Sequence, residues 1–181
     1  MFVSMFIILG LITAGSGQVG TPEVAWSQQF RVRRIFKGHP AAVRLTTARA
    51  RRFRAVVRDG AKHGPNFAGR YTVIAWGCGA SCHRLAIADA VSGKVFDAPF
   101  RSVSAAPPYP LPDDVDVDLL PDFGELQYRL DSRLLIVGGC LNEDNARCGW
   151  HYFEWKDERL TERTRLPFPD PDDLPKKPAA R

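Results

Sequence analysis

At 181 residues, with 45% hydrophobic and 25% charged side chains, the chain has the size and composition of one globular domain with a core of its own. Four cysteines are too few for a miniprotein held by disulfides alone, but enough for two bridges that supplement a core. The formal net charge of +5 does not by itself specify a partner. The charge is nevertheless uneven: residues 31–70 hold twelve Lys or Arg against one acid, Asp59, while residues 113–125 hold six acids and no base.

Residues 1–17 carry no charge, and the apolar run from Phe2 to Ala14 is followed by Gly15, Ser16 and Gly17. This is the pattern of a secretory signal peptide over 1–17. The run is shorter than the roughly 20 residues that cross a bilayer. No Lys or Arg precedes it, so either the true start lies upstream or the signal is a weak one. Cleavage near Ser16 or Gly17 leaves no transmembrane span and no Cys for a lipid anchor. The expected location is periplasmic or secreted.

The mature part, 18–168, reads as a single β-rich domain. Alternation around Phe30 and Val32 predicts a strand over 28–36, ended by Gly38, His39 and Pro40. Thr47 offers an N-cap, and 47–59 reads as a helix closed by Gly60. Its apolar stripe is Ala50, Phe53 and Val57. After a glycine-rich loop at 60–69 the period changes to two. Strands are expected at 71–76, 83–89 and 95–98, then 126–130, 134–137, 150–155 and 160–165. The proline-rich 104–122 stretch reads as an irregular connection, and the tail 169–181, with four prolines, as disordered.

Two stretches, 71–100 and 134–168, share one order: strand, Gly-Cys, loop, Cys, strand, turn, strand, Pro-Phe. The fold class is therefore mainly β (α+β). Two antiparallel β-meander repeats pack as a small sandwich or half-barrel, with one N-terminal helix. The repeat favours the pairs Cys78–Cys82 and Cys140–Cys148, with cross-pairing between repeats as the alternative. The spacings do not match the knuckles of a zinc site or a redox CxxC. Cys78 to His83 resembles a haem attachment motif with one residue too many. The only methionines, Met1 and Met5, would leave with the signal, so a second axial ligand would have to be His39, His63 or His151. No cofactor is expected.

No HExxH, GxSxG, P-loop or dinucleotide motif is present. His63, in the glycine-rich loop, is the one weak candidate for a catalytic histidine. His151, between Trp150 and Tyr152, reads as a packed strand residue. Asp114, Asp116 and Asp118 would share one face of an extended strand and are weak candidates for a cation, though the run lacks the EF-hand spacing. Asn142, Glu143, Asp144 and Asn145 are weaker still. The arginines at 49, 51, 52, 54 and 58 point to an anionic partner. Arg51, Arg54 and Arg58, spaced by three and four, form the expected binding flank. An exported chain seldom meets nucleic acid, so an anionic glycan or lipid, or a protein, fits better.

The strings Gly64-Pro65-Asn66-Phe67-Ala68-Gly69, Tyr71, Trp76-Gly77-Cys78-Gly79 and Cys82 resemble an uncharacterised family of small exported bacterial proteins. The Ser92-Gly93-Lys94-Val95 turn fits it too. The resemblance covers about 44–100 well and the rest loosely. It implies export and a bacterial source, and brings no activity, cofactor or catalytic residue. The expected function is an exported non-enzymatic binding module of the bacterial envelope, of inhibitor or immunity type, taking an anionic or protein partner. A secreted hydrolase using His63 and loop acids is the alternative.

Overall fold

The computed structural model describes residues 29–105, 110–116 and 126–177. The signal peptide expected at 1–17, and Asp118, lie outside these residues. Two short helices, α1 (Ala48–Arg52) and α2 (Arg54–Lys62), precede eight strands. The strands are β1 (Tyr71–Gly79), β2 (Cys82–Asp89), β3 (Val95–Asp97), β4 (Val103–Ser104), β5 (Leu126–Tyr128), β6 (Leu134–Leu141), β7 (Cys148–Lys156) and β8 (Arg159–Leu166).

All strand pairs are antiparallel and belong to one sheet. β1, β2 and β3 form one meander, and β5 to β8 form another. The two-residue β4 joins them. Ser104 pairs with Cys82 on one side and Cys140 on the other, while Val103 pairs with His83 and Leu141. The mainly β fold with helical additions is thus as expected from the period-two patterning.

Alternation along each strand decides what it buries. Val73, Leu85 and Ile87 of the first meander meet Leu135, Val137, Phe153 and Trp155 of the second in one core. Each such side chain, fully buried, contributes roughly 1.5–3 kcal/mol relative to exposure. The reverse faces are also covered. Ile74, Ala86 and Ala88 receive Ala50, Val57 and Ala61 from the helices. Leu134, Ile136 and Tyr152 receive Phe30.

The GPNFAG string is a joint between the meanders. Phe67 and Tyr71 exchange backbone hydrogen bonds across a tight turn, in which Ala68 and Gly69 both have positive φ. Ala68 and Gly69 donate their N–H groups to the Ser132 and Leu130 carbonyls of the second meander, at 3.0 and 2.7 Å. The Asn66 amide acts as a surrogate strand: Nδ2 donates to the Val73 carbonyl at 3.1 Å, and Oδ1 accepts from its N–H at 2.8 Å. This satisfies part of an edge that would otherwise offer unpaired backbone groups.

The Ser92-Gly93-Lys94 turn is set by Asp89, which is buried. One carboxylate oxygen accepts from Val91 N and the other from Ser92 Oγ, both at 2.9 Å, with Arg70 3.1 Å away. The Arg70 pKa is raised above its ordinary value: burial opposes the charge, and the Tyr71 hydroxyl bond with the Asp89 and Glu158 carboxylates outweighs it.

Four local expectations are corrected. The single helix over 47–59 is two helices broken at Phe53, whose φ and ψ of −106° and 30° leave the helical region. Thr47 does cap the start, its Oγ1 accepting from Ala50 N at 3.0 Å. Gly60 does not end the second helix but lies inside it, because a Cβ there would sit 2.6 Å from Ile74 Cγ2. The strand expected at 28–36 reduces, among described residues, to one bridge between Arg31 and Ser132. Finally, residues 169–177 are seated rather than free. Leu174 is buried, and Asp116 N donates to the Pro175 carbonyl at 2.9 Å.

Both locally paired disulfides are formed, Cys78–Cys82 and Cys140–Cys148, and no cysteine is free. Cys78–Cys82 crosses the β1–β2 hairpin and Cys140–Cys148 the β6–β7 hairpin. By chain entropy such short loops contribute about 2 and about 2.5 kcal/mol respectively. A Cys140→Ser, Cys148→Ser double variant is therefore expected to lose about 2.5 kcal/mol in urea unfolding. A change below ~0.5 kcal/mol would show that the strand pairing alone sets this loop.

Candidate functional site

The break at Phe53 shapes the strongest cluster in the molecule. Phe53 ends α1 and starts α2, and its ring turns onto Trp76 of β1, with centroids 5.0 Å apart. Trp76 is the register partner of Arg84 on β2. The Arg84 guanidinium therefore reaches the same ring, 5.3 Å from its centroid, while Arg52 lies 5.5 Å from it. Such contacts hold guanidinium groups in place by the ring's negative faces, each worth about 0.5–1 kcal/mol at exposed sites.

Two more arginines complete the cluster. Arg49 Nη1 donates to the Phe100 carbonyl at 3.0 Å. Arg101 follows, its backbone N–H donating to Asn142 Oδ1 at 2.7 Å, which ties it to the β6–β7 loop. Arg49, Arg52, Arg84 and Arg101 line one cavity of about 270 Å³ with Ala48 and Phe53. No carboxylate lines it, and none of the four is in an ion pair among the described residues. Elsewhere the chain pairs buried acids with arginines. Glu154 accepts from Arg133 at 2.7 Å and also from Arg163. Four cations with no acidic partner among the described residues repel each other around one cavity, and an anion relieves that repulsion.

The expected flank of Arg51, Arg54 and Arg58 is not one site. The break at Phe53 puts Arg51 on α1 and the other two on α2. Arg51 is spent on the loop before α1, donating to the Thr46 carbonyl at 2.7 Å. Arg58 borders a separate cavity of about 370 Å³ with Lys62, Val43 and Pro40. Arg54 is exposed. The basic run contributes Arg49 and Arg52 to the cavity, while Arg84 and Arg101 carried no local signal.

The remaining candidates scatter. His63 is the exposed C-cap of α2, its Nδ1 3.3 Å from the Gly60 carbonyl. The next residue, Gly64, accepts from Thr72 Oγ1 at the start of β1. Cys78 lies six residues further along that strand, about 20 Å away at the usual rise. Glu143 is exposed in the β6–β7 loop, at the Cys140–Cys148 end. His63 therefore does not share a pocket with the disulfide loops or Glu143. His151 is wholly buried, stacked on Phe153, with Nδ1 2.7 Å from Glu162 and Nε2 3.0 Å from the Arg147 carbonyl. It is held as a structural residue.

Asp114 pairs with Lys176 at 3.2 Å, and the Asp113 carbonyl accepts from Lys177. These acids thus meet the tail, not the basic helix. In the other acidic loop, Asn142 and Asp144 side chains are used on the Arg101 and Ala146 N–H groups. Among the described residues no three His, Cys, Asp or Glu side chains come together to hold a metal ion. No described helix is long and apolar enough to cross a membrane. Comparison with protein-family models, curated proteins and solved structures finds no match.

Proposed function

We propose that the chain is an exported, non-enzymatic binding module of the bacterial envelope whose arginine cavity takes an anionic group of its partner. The observation that carries this reading is the cavity lined by Arg49, Arg52, Arg84 and Arg101 with no acid among the described residues. Arginine suits such a task because its planar fork binds oxyanions bidentately. Export is supported by the uncharged apolar N-terminus and by two disulfides, which persist in oxidising compartments. The separation of His63 from the other candidate acids and loops favours binding over hydrolysis.

The test is binding of the mature chain to anionic envelope material over a salt series. The variant carries Arg52→Gln, Arg84→Gln and Arg101→Gln, and Arg54→Gln is the control. The triple change is expected to weaken binding at least about tenfold and to flatten its salt dependence, since exposed charges are screened over ~8 Å at physiological ionic strength. Arg54→Gln is expected to bind as the wild type. Equal binding by all three proteins sinks the proposal.

A further inference from the structure

The geometry points to a phosphate-bearing group, a phosphate monoester or diphosphate, as the occupant of the cavity among Arg49, Arg52, Arg84 and Arg101. This rests on the reading of the chain as an anion-binding module and narrows it to one chemistry.

Charge comes first. Four arginines line the cavity and, among the described residues, no acidic residue does. A single carboxylate would balance one of them. A phosphate monoester carries close to two charges at neutral pH and three acceptor oxygens, and a diphosphate more of both. The donor inventory agrees. Each guanidinium has five N–H donors. Arg49 uses its Nη1 on the Phe100 carbonyl, and Arg52 and Arg84 are placed by the Phe53 ring, a contact that consumes no N–H. Most of the donors therefore remain for an oxyanion with several oxygens.

Size is the second constraint. At about 270 Å³ the cavity falls just under the roughly 300–1,000 Å³ of sites that swallow whole small molecules. It fits a headgroup, with the rest of the ligand outside. Third, the backbone positions that carry the arginines are fixed before any ligand arrives. They come from α1, from β2 within its ladder, and from the segment after β3 that Asn142 ties down. Little ordering cost is left for binding.

The same chemistry has two sources, a free or glycan-borne phosphate and a lipid headgroup. The experiment uses the mature, oxidised chain and follows tryptophan fluorescence, because Trp76 lies against the Phe53 ring. Titrants are inorganic pyrophosphate, citrate as a polycarboxylate, and vesicles containing phosphatidic acid or, at equal surface charge, phosphatidylglycerol. Pyrophosphate is expected to bind at least about tenfold tighter than citrate, to raise the melting temperature, and to lose at least tenfold in affinity with Arg84→Gln and Arg101→Gln together. Arg54→Gln is expected to behave as wild type. Preference for phosphatidic acid over phosphatidylglycerol vesicles supports a lipid phosphate. Pyrophosphate binding with no vesicle preference supports a free or glycan phosphate. Citrate binding as tightly as pyrophosphate overturns the phosphate assignment and leaves the anion reading standing. Absence of binding by every anion, in protein shown folded by its melting curve, overturns both.

Discussion

Replacement of Gly139 by alanine is expected to cost about 3–5 kcal/mol, from strained backbone and from overpacking together. Gly139 has φ +143°, which L side chains rarely adopt. A Cβ there would lie 2.4 Å from the Ser104 carbonyl oxygen and 2.5 Å from Val103 Cγ2. Both belong to β4, the strand that joins the two meanders. The clash cannot be relieved by turning a flexible side chain, because the nearest atom is backbone. β4 must move off β6, and with it the Ser104 pairing to Cys140. Domains of this size are stable by only about 5–15 kcal/mol, so the variant should sit near the edge of folding at 37 °C. Gly79 is the control: it too has positive φ, +144°, but its added Cβ meets nothing within 4 Å. Thermal or urea unfolding of Gly139→Ala beside Gly79→Ala separates the clash from backbone strain. Equal losses would show that the β4 seam tolerates a methyl group.

Phe67→Ala is expected to lose about 3–5 kcal/mol, the range for a large aromatic removed from a core. Phe67 is 0% exposed and meets Tyr128 and Trp155 edge-on, each at 6.4 Å between centroids. Its loss removes packing on both sides of the joint, since Tyr128 and Trp155 belong to the second meander while Phe67 leads into the first. Phe67→Leu, which keeps most of the volume, should recover more than half of the loss. Urea unfolding reads both. A loss below about 1 kcal/mol for Phe67→Ala would place the joint's strength in its backbone hydrogen bonds.

Features set by local pairing were legible from the sequence, and those set by distant packing were not. The local disulfides could be read because each cysteine pair flanks a hairpin, where strand pairing brings the two residues together. The period-two runs announced most strands for the same local reason. The helix break could not be read: Phe53, Val56 and Val57 keep a helical stripe through it, and the ring leaves that stripe for Trp76, a contact across 23 positions. Gly60 looked like a stop because helix interiors disfavour glycine. Its use is to let Ile74 approach, which only the packing reveals. The arginine-lined cavity was half legible. Arg49 and Arg52 lie in the basic run, but Arg84 sits mid-strand and Arg101 in a connection. Nothing in their neighbours' identities says that β2 and the segment after β3 end beside α1.

The two-residue β4 has a chemical consequence. Ser104 lies in register with one cysteine of each bridge, Cys82 and Cys140. Arg101 stands three positions before it, and Arg84 two after Cys82. Both bridges and the backbone positions of two cavity arginines therefore lie within three residues of the β4 seam. A chain caught in a reducing environment would keep most of its apolar core and still present a blurred arginine constellation. If the cavity takes an anion as proposed, closure of both bridges would be a condition for its capture.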